Sequence, residues 1–112
     1  MSDSADRLAA SRRNVTAAPA PHVVIRSPGR RPIHLVVDEP IEVGRRCEGI
    51  LLDDDQVSRR HVQLRPAGDL VEVTDLGSSN GTFIDGVAVD GSQLLERGSI
   101  VRLGSQTTIE LA

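Results

Sequence analysis

The sequence predicts an all-β fold, a sandwich of about eleven short and mainly antiparallel strands, and three observations carry that reading. Apolar and polar residues alternate with a period of two over short runs, where an amphipathic helix would space them by three and four. The apolar set is dominated by thirteen Val and seven Ile in 112 residues, and β-branched side chains suit a pleated, half-buried surface. The runs are divided by turn pairs, Asn80-Gly81, Asp85-Gly86, Asp90-Gly91 and Arg97-Gly98, in which glycine permits a positive φ.

Taken in order, the elements begin after a tail. Residues 1–21 hold few large apolar side chains and end in Ala17-Ala18-Pro19-Ala20-Pro21. That composition reads as a disordered, extended segment. The domain is expected over residues 22–112. Its first two strands are expected over 22–26 and 32–38, separated by Ser27-Pro28-Gly29. Ile41-Glu42-Val43 follows the break at Pro40, and 50–52 forms a short run. Val62 and Leu64 share one face while Gln63 and Arg65 share the other. Val71 and Val73, Val101 and Leu103, and Ile109 and Leu111 repeat the pattern. Counting such segments gives nine to eleven strands.

Composition narrows the function. A 112-residue chain can bury an ordinary core, but with Phe83 as the sole aromatic residue that core must be aliphatic. One cysteine, Cys47, forms no internal disulfide, and the His residues show no metal-ligand spacing, so neither a metal nor another cofactor is expected. No apolar run is long enough for a spanning helix, and the N-terminus lacks a signal-peptide core, which predicts a cytoplasmic protein without a membrane partner. Thirteen basic and sixteen acidic residues leave a net charge of −3. Mild acidity and the absence of stacking aromatics argue against nucleic acid. The charge is uneven: residues 1–31 carry six Arg against two Asp, +4, and residues 32–112 carry seven Arg against fourteen acids, −7.

Chemistry on such a scaffold belongs to its loops, because the strands are committed to the core. Three stand out: Val43-Gly44-Arg45-Arg46, Val57-Ser58-Arg59-Arg60-His61, and Gly77-Ser78-Ser79-Asn80-Gly81-Thr82-Phe83. Arginine forks and short hydroxyls are what a phosphate monoester requires, with its nearly two charges and three acceptor oxygens.

The order and spacing of these loops, with Asp75-Leu76 ahead of the third and the trailing Leu95-Glu96-Arg97-Gly98-Ser99-Ile100-Val101-Arg102-Leu103-Gly104, resemble a forkhead-associated (FHA) domain over about residues 22–112. Ser99 departs from the Asp usual there, and Val101 replaces Ile. The resemblance implies an eleven-stranded sandwich that binds phosphothreonine peptides at one end, as a bacterial adaptor or regulator in serine/threonine kinase signalling. It implies that Arg45 and Ser58 hold the phosphate, that Arg59 contacts phosphate or peptide backbone, that Ser79 donates a further hydrogen bond, and that Asn80 grips the ligand main chain. His61 is then a buried brace between loops, with Gly44 and Gly81 letting the backbone bend. Arg46 and Arg60 would add positive potential, and Asp53-Asp54-Asp55 is expected as a solvated loop, or as a selector of basic residues in the ligand.

Two other classes compete. Ser58, His61 and an Asp could suggest a serine hydrolase, but no nucleophile elbow or oxyanion motif accompanies them. A phosphate-independent protein-binding sandwich is the other. In the tail, Arg12-Arg13-Asn14-Val15-Thr16 places two arginines upstream of a threonine, a candidate site for a basophilic serine/threonine protein kinase. Phosphorylated there, Thr16 could fold back onto the domain at roughly millimolar effective concentration.

Overall fold

A computed structural model describes residues 20–112. The candidate phosphorylation site Thr16 and nearly all of the expected tail lie outside them. Pro21, expected at the end of that tail, is buried, and its carbonyl accepts from Val37 N at 2.8 Å.

Eleven strands form among the described residues, and no helix. In chain order they are β1 (His22–Arg26), β2 (Ile33–Val36), β3 (Ile41–Gly44), β4 (Ile50–Leu51), β5 (Val62–Ala67), β6 (Leu70–Asp75), β7 (Thr82–Ile84), β8 (Val87–Ala88), β9 (Ser92–Leu95), β10 (Ile100–Leu103) and β11 (Thr107–Leu111). One sheet has the order β9-β6-β5-β3-β4 and the other β2-β1-β11-β10-β7-β8. All neighbouring pairs are antiparallel except β3 with β4, which run parallel.

The alternation works as a sandwich requires. Val43, Val62, Leu64, Val71, Val73 and Leu95 from the first sheet meet Val23, Ile25, Val101, Leu103 and Ile109 from the second in one core. Every buried apolar side chain of the core is Val, Leu or Ile. Phe83 is only half-buried and stays outside it, with the Arg102 guanidinium 4.4 Å above its ring. The Asp85-Gly86 pair closes β7 onto β8 with φ of 50° and 83°, the two positive values of a type I′ hairpin turn.

Register brings the three singled-out loops to one end. Val62, the first residue of β5, pairs with Val43 near the end of β3 and with Asp75 at the end of β6. Asp75 Oδ1 accepts from Thr82 Oγ1 at 2.7 Å, which ties the start of β7 to the same place. The segments before β5 and β7 and the segment after β3 therefore cluster.

Candidate functional site

Each loop is held by its backbone before any side chain contributes. Arg45 N donates to Ser58 O at 3.0 Å and Arg46 N to Arg59 O at 2.9 Å, so the first loop is laced to the second. Gly44 makes this possible for a reason the sequence did not suggest. Its φ is not positive; instead, a Cβ there would stand 2.1 Å from Arg59 O. Close approach, rather than bending, demands glycine at 44. Gly81 does bend, with φ 86°, and a Cβ on it would meet the Phe83 ring at 2.9 Å.

His61 joins the second loop to the third. The ring is fully buried. Its Nδ1 accepts from Ser58 N at 3.0 Å, and its Nε2 lies 2.9 Å from Gly81 O. A backbone N–H can only donate and a carbonyl can only accept, so these partners fix the neutral tautomer with its proton on Nε2. Burial lowers the imidazole pKa and outweighs the opposing pull of the Gly81 carbonyl. With both ring nitrogens engaged, His61 is not placed to take a proton from Ser58 Oγ, and the hydrolytic arrangement fails on geometry.

Asp75 ties the third loop. Its carboxylate accepts from Gly77 N, Ser78 N, Ser78 Oγ and Thr82 Oγ1. Burial alone would raise its pKa, but the bonds from Ser78, Thr82 and the backbone together hold it below the ordinary carboxylate range. The sequence marked Asp75 only as part of the motif, without this role.

The polar groups that face outward are few. Ser58 Oγ accepts from Ser79 N at 2.9 Å, which leaves its proton free to donate. Arg45 gives Nε to Val57 O at 2.5 Å, so both terminal NH₂ groups remain. Arg59 is exposed, and no side-chain partner for it occurs among the described residues. Arg45, Ser58, Arg59, Arg60, Gly77 and Ser79 line a shallow depression of about 370 Å³. Asn80 lies at the margin, with Nδ2 donating to Gln56 O at 2.9 Å; half of its amide is thus spent on holding the loop.

Two of the expected features differ. Arg60 does not add open positive potential, because Glu42 takes it in a two-bond pair through Nε and Nη2. The run 53–55 is not uniformly solvated: Asp54 is buried, accepting from Gln56 N at 2.9 Å and Thr107 Oγ1 at 2.6 Å, and so fastens the loop to β11. Among the described residues no His, Cys, Asp and Glu side chains cluster as metal ligands, and no helix is long and apolar enough to cross a membrane.

The model of a family described as the FHA domain matches residues 41–104. The FHA domain-containing protein FhaB of Mycolicibacterium smegmatis is 41% identical over 75 residues, covering 66% of this chain and 48% of FhaB. An oxoglutarate dehydrogenase inhibitor of Corynebacterium jeikeium is 39% identical over 83 residues, covering 73% of this chain and 57% of the inhibitor. The chain therefore spans about half the length of these relatives. A structure solved in a structural and functional analysis of phosphothreonine-dependent FHA domain interactions superposes with a TM-score of 0.67 at 27% identity, covering 81% of this chain and 97% of that one.

Proposed function

The chain belongs to the FHA domain family, and from that premise we propose that it is a phosphothreonine-dependent protein-binding module, an adaptor or regulator in serine/threonine kinase signalling. The observation that carries the proposal is the set of unsatisfied donors around one depression: the terminal NH₂ groups of Arg45, the Ser58 hydroxyl and the Arg59 guanidinium. A phosphate monoester offers three acceptor oxygens to such a set and gains charge-assisted bonds from both arginines.

In this reading Arg45 and Ser58 hold the phosphate, Arg59 closes over it or over the peptide backbone, and the Ser79 hydroxyl donates from the rim. Asn80 offers its Oδ1 and its remaining amide hydrogen to the ligand main chain. His61, Gly44 and Gly81 set the loops and touch no ligand. The partner is a phosphothreonine-bearing protein in the cytoplasm. The role is capture and not turnover, in keeping with a relative described as an inhibitor of another protein. A kinase that modifies Thr16, ahead of the domain, would supply an internal ligand and turn the site off to others.

Calorimetry with oriented phosphothreonine peptides and unphosphorylated controls tests this. Phosphorylated peptides should bind and controls should not; equal binding of the two sets overturns the proposal.

A further inference from the structure

Next to the depression proposed for the phosphate, and sharing Arg45 and Arg60 with it, lies a larger one of about 760 Å³ that includes Arg46, Cys47 and Leu51. We propose that this second depression receives the ligand chain on one side of the phosphothreonine, seating an apolar side chain on Leu51 and a carboxylate against Arg46. The proposal deepens the phosphothreonine reading and rests on it.

Sheet register places the apolar part. Leu51 on β4 pairs with Gly44 on β3, the residue before Arg45. A strand spacing of about 4.8 Å therefore separates the apolar platform from the backbone that presents the phosphate-facing arginine. Leu51 is 54% exposed although its backbone is tied down, with its carbonyl taken by Arg30 Nη1 at 2.7 Å. Leu52 N, directly after it, donates to Gly44 O at 2.8 Å. Its backbone is thus fixed one strand spacing from Gly44, which leaves an exposed apolar side chain beside the phosphate-facing arginine. Cys47 beside it spends its thiol on Ile50 O at 3.3 Å, and burial raises the thiol pKa, so it stays a neutral, largely apolar wall.

Charge bookkeeping assigns the polar part. Three guanidinium groups border this depression, and two have side-chain commitments. Arg45 donates to Val57 O and faces the phosphate, while Arg60 is bound by both oxygens of Glu42. Arg46 is pinned through its backbone to Arg59 O, yet its exposed side chain has no partner among the described residues. It is the cation left for a ligand. Glu48, also on the rim, disfavours a second carboxylate and limits the selection to one.

The test is an oriented phosphothreonine peptide library, degenerate on both sides, read against the full chain and two exposed-residue variants. The unaltered chain should select apolar residues at one flanking position and Asp or Glu at another on the same side. Leu51→Asp should cut the apolar preference about fivefold, and Arg46→Glu should reverse the acidic preference by a similar factor, about fivefold for one exposed charge. Both variants should keep the preference for phosphorylated over unphosphorylated peptide. A retained phosphate preference with flat flanking profiles, or with profiles that neither variant changes, overturns the docking proposal alone. Loss of phosphate discrimination in the unaltered chain overturns the phosphothreonine reading beneath it.

Discussion

Ser79 N donates to Ser58 Oγ across 2.9 Å, so the backbone of the third loop decides where the hydroxyl proton of the second loop can point. A lone pair of Oγ is consumed inside the protein, and the O–H is left to donate into the depression between Arg45 and Arg59. One contact locks two loops and aims a donor.

Removal of these donors should therefore weaken binding. Arg45→Ala is expected to weaken a phosphothreonine peptide complex by at least about 2 kcal/mol, the scale of a charge-assisted contact, and Ser58→Ala by about 1 to 2 kcal/mol. Calorimetry measures both, and circular dichroism checks that the fold survives. Undiminished affinity of Arg45→Ala would place the phosphate elsewhere.

The brace at His61 predicts a pH dependence. Its pKa is lowered in the fold from an ordinary value of about 6.5, so near and below that pH the unfolded chain binds more protons than the folded one. Stability should be full above about pH 6.5 and fall as the pH drops through the depressed folded value. Protonated Nδ1 would set N–H against the Ser58 N–H. Thermal unfolding should show a lower Tm at pH 5.5 than at pH 7.5, and His61→Gln should flatten that slope. Asp75, also lowered, loses its contribution only as the pH falls below about 3.9, which separates the two windows.

Gly44 and Gly81 should fail differently. Gly44→Ala drives a Cβ to 2.1 Å from a backbone oxygen, so the first two loops must separate, at a cost of roughly 1 to 3 kcal/mol as for an overpacked site. Gly81→Ala strains a residue at φ 86°, by about 1 to 2 kcal/mol, while the Phe83 ring turns aside. Urea midpoints give both costs, and the binding loss in Gly44→Ala should exceed what its stability change explains.

Asp54 offers the clearest test of a misleading local sequence. Asp53→Ala and Asp55→Ala, on exposed residues, should shift stability by no more than about 0.5 kcal/mol. Asp54→Ala should cost about 1 to 3 kcal/mol, because Thr107 Oγ1 and Gln56 N lose their acceptor. Equal midpoints for the three variants would contradict the buried anchor.

Much of the fold was readable along the chain. The period-two runs that became β3, β5, β6, β10 and β11 each place one face in the core, and register then follows from which face is apolar, whereas β1 was legible as an unbroken apolar run in which Val23, Val24 and Ile25 are all buried. The strands between Thr82 and Leu95 were legible only through the glycine turns around them. β8 is exposed at both residues, and β9 at three of four, so neither alternates. The identities of the site residues were legible as motifs, because a phosphate needs particular donors. Their environments were not. Arg60 is paired with Glu42, 18 residues away, and Asp54 is buried where it accepts from Thr107 on β11, 53 residues away.

By itself the sequence determined the secondary-structure class, the aliphatic core and the loops that carry cations and hydroxyls, since each depends on residue type and local spacing. Only the tertiary structure decided which cations stay free for a ligand, why Gly44 is glycine, and which His61 nitrogen holds the proton. Those outcomes depend on partners that sheet pairing brings within hydrogen-bond reach from distant parts of the chain.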